Sequence, residues 1–134
     1  IEELPEETKP FATSLCDRMV ENFLRLYEDE DDDEGDSSMI AFQCLKTIAS
    51  ILEAAKKDKQ LLSELEKKCI PIVLKTLTME YFDYIEESIE ISTYLTFYCE
   101  PISKDLWKVY EGIINALNTF AYDMIESLFL FLFI

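Results

Sequence analysis

The sequence predicts an all-helical protein, and three observations lead to that fold class. The 134 residues include only two glycines and four prolines, whereas an all-β chain needs such turn residues at every hairpin. Apolar side chains recur at spacings of three and four residues along most of the chain, which is the period of an amphipathic helix. Apolar residues make up 49% of the chain, so it has enough of them to build the core of one domain.

Six helices are predicted from the apolar stripes. Ser37 or Ser38 is expected to cap the second helix and Ser103 the fifth, because a serine oxygen accepts hydrogen bonds from first-turn N–H groups. Pro71 falls inside the third helix, where it removes a backbone hydrogen bond, so a kink or break is expected near Lys68. The predicted helices cover Glu7–Tyr27, Ser38–Lys56, Lys59–Thr78, Glu80–Cys99, Ser103–Leu117 and a last stretch from Thr119 to Ile134.

Core positions are predicted from the same stripes. The stripe of the first helix runs through Phe11, Leu15, Met19, Phe23 and Leu26. Trp107 is the single tryptophan, and we expect it to anchor the packing between neighbouring helix pairs because its side chain is large and mostly apolar.

The helices are expected to form three consecutive antiparallel pairs, which begin near residues 7, 59 and 103. After subtraction of the longer connection between the first two helices, the distance between pairs approaches about 40–47 residues, the period of HEAT-type repeats. One pair alone cannot bury both of its apolar faces, so stacked pairs share a continuous core. Residues 1–134 are therefore predicted to be an α-solenoid of about three HEAT-type antiparallel helix pairs, with a globular six-helix bundle as the alternative.

The composition argues against several functions. The net charge of −16 argues against direct binding of nucleic acid and suits either basic partners or simple solubility. There is no histidine, which removes the commonest general base and metal ligand. Cys16, Cys44, Cys69 and Cys99 are at least 25 residues apart, so we expect buried thiols in a reducing compartment. We predict no catalytic residue, no cofactor and no metal site, and we do not expect an enzyme.

The strongest local feature is a nine-residue segment, 28–36, in which eight residues are acidic. Such a run repels itself and has no apolar anchor, so residues 28–37 are expected to be a mobile loop, disordered when free, that attracts the Lys and Arg of a partner. A solvated spacer is the alternative. An EF-hand pattern fails, because counting from Asp29 the sixth position is Glu34 and the twelfth is Ile40. The predicted partner-binding residues are Glu28, Asp29, Glu30, Asp31, Asp32, Asp33, Glu34 and Asp36.

A second stretch combines aromatic and acidic residues at the start of the fourth predicted helix. An aromatic and acidic face suits basic or aromatic peptide segments, whereas core packing between neighbouring pairs is the alternative. The predicted second contact face consists of Tyr81, Asp83, Tyr84, Glu86 and Glu87.

The two ends of the chain predict a piece of a longer protein. The sequence begins at Ile1 without a methionine or a signal peptide, and it ends on the apolar run Leu128–Ile134. That run is much shorter than the ~20 residues of a membrane helix, so no membrane partner is expected. As an exposed apolar surface, it is expected to make the isolated chain self-associate.

The order of several segments resembles a known family. The acidic segment is followed by Ser38-Met-Ile-Ala-Phe-Gln-Cys-Leu-Lys-Thr-Ile48 and then by Leu65-Glu-Lys-Lys-Cys-Ile-Pro-Ile-Val-Leu74. Glu80-Tyr-Phe-Asp-Tyr-Ile-Glu-Glu87 and Ile102-Ser-Lys-Asp-Leu-Trp107 come next. Together these segments resemble the importin-β (karyopherin-β) superfamily of nuclear transport receptors, most closely the importin 7 and 8 branch.

This resemblance implies a HEAT-repeat fragment from the C-terminal half of a receptor that shuttles between cytoplasm and nucleus. It implies basic protein cargo, such as histones or ribosomal proteins, bound for nuclear import. It also implies the small GTPase Ran and nucleoporins as partners, reached through other parts of the parent protein, since nothing in this sequence matches the family's Ran-contacting residues. The alternative is a HEAT-repeat scaffold segment that holds an assembly together without a transport role.

Overall fold

The computed structural model describes residues 6–28, 34–99, 101–121 and 123, which contain helices and no strand. The helices confirm the predicted all-α class. Two 3₁₀ segments, Glu6–Thr8 and Met79–Tyr84, precede the first and the fourth helix. The helices are α1 (Lys9–Glu28), α2 (Glu34–Ala54), α3 (Lys59–Thr76), α4 (Ile85–Tyr98) and α5 (Lys104–Thr119).

The described helices stack in two layers. The helices α1, α3 and α5 form one layer, in which α3 packs against both of the others. The helices α2 and α4 form the second layer, α2 on α1 and α4 on α3. This is the pairing of a HEAT-like α-solenoid, as predicted. The second helix predicted for the third pair, which follows Thr119, lies almost wholly outside the described residues.

Capping residues set the start of two helices. The Asp58 carboxylate accepts a hydrogen bond from the backbone N–H of Leu61 at 3.1 Å, at the start of α3. The Ser103 hydroxyl accepts one from Leu106 at 3.1 Å, which confirms the cap predicted for α5. The cap predicted at Ser37 or Ser38 is wrong, because α2 already begins at Glu34. Acidic residues are favourable in a first helical turn, where they complement the helix dipole.

Pro71 does not break α3. The helix continues from Lys59 to Thr76 with Pro71 inside it, so the expected break near Lys68 is absent. Pro71 itself is exposed, whereas its neighbours Ile70 and Ile72 are buried. The packing of these neighbours offsets the one backbone hydrogen bond that proline removes.

The face of α1 that enters the core differs from the predicted stripe. Phe11 is 73% exposed and Leu15 is 42% exposed, whereas Cys16 and Phe23 are buried. The Cys16 side chain lies directly against Cys69 of α3. Because both side chains are small, α1 can approach α3 closely at this contact. The part of the prediction that concerned Phe11 and Leu15 is therefore wrong, and the part that concerned Phe23 is confirmed.

Trp107 does not anchor the core of the described residues. Its side chain is 53% exposed, whereas Leu106 and Val109 are buried. Leu106, Val109, Ile113 and Ala116 follow one another at spacings of three and four, and this stripe faces the neighbouring helices. Trp107 lies one residue, or about 100°, away from that stripe around the helix axis.

Candidate partner-binding edge

The ends of the acidic segment can be located from their described neighbours. Glu28 is the last residue of α1, and Glu34 is the first of α2, so both helices extend into the segment that was predicted to be a loop. Near the end of α1, the Phe23 ring contacts Tyr84 edge-on, with centroids 5.3 Å apart. Near the start of α2, the Ser38 hydroxyl lies 3.3 Å from the Tyr84 hydroxyl. The helices on the two sides of the segment therefore both contact the 3₁₀ segment Met79–Tyr84, through Phe23 of α1 and Ser38 of α2.

The end of α1, the start of α2 and the connection between α3 and α4 thus lie towards one edge of the described solenoid. Three exposed carboxylates lie there: those of Glu80 and Asp83 in the connection between α3 and α4, and that of Glu86 in the first turn of α4. The Lys75 ammonium lies 6.0 Å from the centre of the Tyr81 ring in the same connection. We call this the acidic edge: residues 28–36 together with Glu80, Asp83 and Glu86. The side chains of residues 28–36 lie outside the described part of the chain, and their role in binding stays a prediction.

The predicted second contact face is divided between the core and the surface. Tyr81 and Tyr84 are buried and pack on Phe23, which is the core-packing alternative. Glu87 is buried as well, and only Asp83 and Glu86 are exposed. Both tyrosine rings contact the Phe23 ring, so they point to the same side of the 3₁₀ segment.

A different aromatic surface lies at the far end of α4. The Tyr94 and Tyr98 rings stack with centroids 5.7 Å apart, and Phe97 meets Tyr98 edge-on at 5.2 Å. Phe97 is 59% exposed, and the two tyrosines are half-buried. The sequence showed these aromatic residues but not that they, rather than Tyr81 and Tyr84, remain accessible. About three helical turns separate them from the acidic edge.

The described residues offer little for chemistry. They contain no group of three or more Cys, Asp or Glu side chains placed to hold a metal ion. Burial, with the nearby Glu66 carboxylate, raises the pKa of the Cys99 thiol to about 12, so this thiol stays protonated at neutral pH. Among the same residues, no helix has both the length and the apolar character needed to cross a membrane.

Comparison with known proteins finds relatives that are named importins or importin-like proteins. The chain is 32% identical over 128 residues to the probable importin-7 homolog of Dictyostelium discoideum, a match that covers 95% of the chain. It is 32% identical over 126 residues to the importin beta-like SAD2 homolog of Arabidopsis thaliana, covering 92%. It is 27% identical over 108 residues to human importin-8, covering 80%. The chain belongs to the importin-β superfamily.

This membership confirms the resemblance inferred from the order of segments, including the importin 7 and 8 branch. This importin-β-superfamily chain spans only 12% of the length of the first two relatives and 10% of human importin-8. No family model and no solved structure gives a significant match.

Proposed function

We propose that the chain is a segment of a nuclear transport receptor that binds basic protein cargo for import, and that the acidic edge attracts this cargo. The observation that supports the proposal is the group of exposed carboxylates of Glu80, Asp83 and Glu86, close to the 3₁₀ segment that α1 and α2 contact through Phe23 and Ser38. The sequence adds eight acidic residues in segment 28–36, between the contacting parts of those two helices. Its relatives named importins support the transport role.

The physical advantage of such an edge is long-range attraction. Carboxylates from two neighbouring connections add to one negative field, which steers Lys- and Arg-rich segments towards the protein and raises the association rate. Because the attraction does not require one fixed geometry, it suits cargoes of varied sequence, such as histones and ribosomal proteins. In this proposal, the parent protein shuttles between cytoplasm and nucleus and reaches Ran and nucleoporins through its other repeats.

A second candidate function is a scaffold segment without a transport role. The exposed apolar side chains of Phe97, Ile102 and Trp107 favour it, since such residues commonly mark contacts between proteins. Binding through them depends on buried apolar area and therefore changes little with salt.

The two functions are separated by the salt dependence of binding to a basic histone-tail peptide. One variant replaces the acids of residues 28–36 by Ser and Asn, and a second carries Glu80→Gln, Asp83→Asn and Glu86→Gln. A matched control removes three exposed carboxylates elsewhere, with Glu53→Gln, Glu64→Gln and Glu111→Gln. Association rates are measured by stopped flow at about 50 mM and about 300 mM NaCl, which shortens the screening length from roughly 14 to 6 Å.

We expect each edge variant to slow association by about tenfold or more at low salt, and the control to slow it much less. The difference should shrink at high salt. Equal rates for the acidic and neutral edges at low salt would show that the segment is only a solvated spacer. Salt-independent binding that is lost with Phe97→Ala or Trp107→Ala would favour the scaffold.

A further inference from the structure

Two buried thiols face each other where the first helix pair packs on the second. The Cys16 sulfur on α1 lies 3.8 Å from the Cys69 sulfur on α3, and the two side chains are 1% and 0% exposed. All four cysteines are free. The other two have different surroundings: Cys44 is buried on α2, and the Cys99 sulfur lies 4.0 Å from the Leu62 carbonyl oxygen.

We propose that Cys16 and Cys69 form a modification site, at which a hydroperoxide oxidises the two thiols to a disulfide that joins α1 to α3. A disulfide bond is about 2.05 Å long, so the sulfurs must approach by roughly 1.8 Å. Small rotations of the two side chains, with a slight shift of α1, cover this distance. The inference is independent of the proposed transport role.

The surroundings assign a different role to each thiol. A hydrogen bond with the Cys69 thiol lowers the pKa of Cys16, whereas burial and the Asp17 carboxylate raise it and the Lys68 ammonium lowers it. Lys68 is held beside Cys16 by its ion pair with Asp17, at 2.7 Å. The pKa of Cys69 is raised by the same hydrogen bond and by burial, so it keeps its proton. The proposal assigns the attack to Cys16 and the resolving step to Cys69, and the Cys69→Ser variant tests this order.

The reaction balances with hydrogen peroxide as the oxidant. The Cys16 thiolate attacks one peroxide oxygen, the O–O bond breaks, and the hydroxide that leaves takes up the proton that Cys16 had released. The Cys69 sulfur then attacks the sulfenic acid on Cys16, the S–O bond breaks, and the oxygen leaves as water with the Cys69 proton. Two thiols and one peroxide yield one disulfide and two waters.

A small oxidant reaches the buried pair only when the packing opens, and a surface groove lies between the two helices concerned. It has a volume of about 670 Å³ and opens between the same two helices, lined by Thr13 and Asp17 of α1 and by Leu61 and Glu64 of α3. Asp17, the chain neighbour of Cys16, lines this groove, whereas the two cysteines do not. A local separation of α1 from α3 is enough to admit a molecule slightly larger than water.

The test is mild oxidation of the folded chain with hydrogen peroxide, followed by intact mass measurement and peptide mapping without reductant. We expect a mass loss of about 2 Da, the two hydrogens of the balanced reaction, and one cross-linked pair of peptides that contain Cys16 and Cys69. The midpoint of thermal unfolding should rise by about 10 °C, since the bond closes a long loop, and a reductant should reverse the rise.

Single substitutions show whether the disulfide forms specifically between Cys16 and Cys69. With Cys69→Ser, the mass loss should disappear and dimedone, a sulfenic acid reagent, should label Cys16. With Cys44→Ser or Cys99→Ser, the mass loss should be the same as in the parent chain. The proposal is overturned if the cross-link includes Cys44 or Cys99, or if oxidation of the folded chain adds oxygen without any mass loss. It is also overturned if the thiols react only at a denaturant concentration that unfolds the chain. These readouts come from the parent chain even where a variant fails to fold.

Discussion

Glu87 is a buried carboxyl group whose position costs stability at neutral pH. Its side chain is 5% exposed, and its Oε2 has no hydrogen-bond partner among the described residues. Burial raises its pKa above the usual 4.5, with Glu86 and Glu90 acting in the same direction and Lys46 of α2 acting against it. The ionised form of this buried carboxyl group lowers the free energy of unfolding. That loss of stability is fully present above the raised pKa of the folded state and disappears as the pH falls towards 4.5.

We therefore expect Glu87→Gln to stabilise the fold by about 1 kcal/mol at neutral pH, because the amide cannot ionise. The gain should shrink as the pH falls towards 5, where the native carboxyl group becomes protonated. Urea unfolding at both pH values measures the effect, and Glu86→Gln at the exposed neighbour is the control. A loss of stability at neutral pH would contradict this account and would mean that the charge of Glu87 is needed near Lys46.

Asp58 combines two interactions that substitution can separate. One carboxylate oxygen caps α3, and the other lies 2.6 Å from the Lys9 ammonium. We expect Asp58→Ala to cost about 1–2 kcal/mol through loss of the cap. Asp58→Asn keeps a capping oxygen and should cost less than about 1 kcal/mol, since the ion pair is partly exposed.

The pH dependence of the Asp58 contribution has the opposite sign to that of Glu87. The hydrogen bond from Lys9, followed by that from the Leu61 N–H, lowers the Asp58 pKa below its usual 3.8. Its stabilisation is therefore present above that value and is lost as the pH falls through the lowered pKa. The stability difference between Asp58→Ala and the parent chain, measured by urea titration, should be full at pH 7 and shrink as the pH falls below 3.8. A difference that persists in acid would contradict this assignment.

At the scale of the element, two neighbouring positions of α5 differ in burial, and substitutions can show which of them stabilises the fold. Leu106 is buried, whereas Trp107 is largely exposed and touches Tyr110 edge-on. We expect Leu106→Ala to cost about 2–5 kcal/mol and Trp107→Ala less than about 1 kcal/mol. Urea unfolding measures both changes, and the tryptophan fluorescence of the parent chain should be that of a water-exposed indole. A cost for Trp107→Ala as large as that for Leu106→Ala would show that another part of the chain covers it.

At the scale of the whole molecule, unbalanced charge opposes folding. The described ion pairs include Lys9–Asp58, Lys46–Glu90, Lys68–Asp17 and Lys108–Asp105, which are exposed at least in part. Such pairs contribute little each, whereas the net charge of −16 repels itself throughout the fold. Added NaCl, from about 20 to about 300 mM, should therefore raise the midpoint of thermal unfolding by a few degrees.

The control for this salt effect is the variant with a neutral segment 28–36, in which the rise should be smaller because eight negative charges are removed. A midpoint that falls with salt in the parent chain would show that ion pairs outweigh the repulsion.

Self-association also belongs to the whole molecule and stays a prediction. It depends on Leu128–Ile134, which lies outside the described residues. Exposed apolar surface favours association by about 25 cal/mol per Å² buried, so sedimentation velocity at rising concentration should show a growing oligomer fraction. A monomer at every concentration would contradict the prediction.

The sequence by itself determined the properties that depend on local order along the chain. The three- and four-residue spacing of apolar side chains predicted the helices and their pairing, because a helix repeats every 3.6 residues. The cap at Ser103 followed from its place directly before a stripe. The order of segments pointed to the importin-β superfamily, which the relatives confirm.

Only the tertiary structure decided which residues meet. The spacing of apolar residues locates a stripe but does not distinguish it from a neighbouring stripe about 100° around the helix, so Cys16 is covered and Leu15 is not. Which of the two stripes is buried depends on the helix that packs against α1, and that helix lies far away in sequence. The same reason applies to the Ser38–Tyr84 contact that joins α2 to the connection between α3 and α4, and to the approach of Cys16 to Cys69, 53 residues apart.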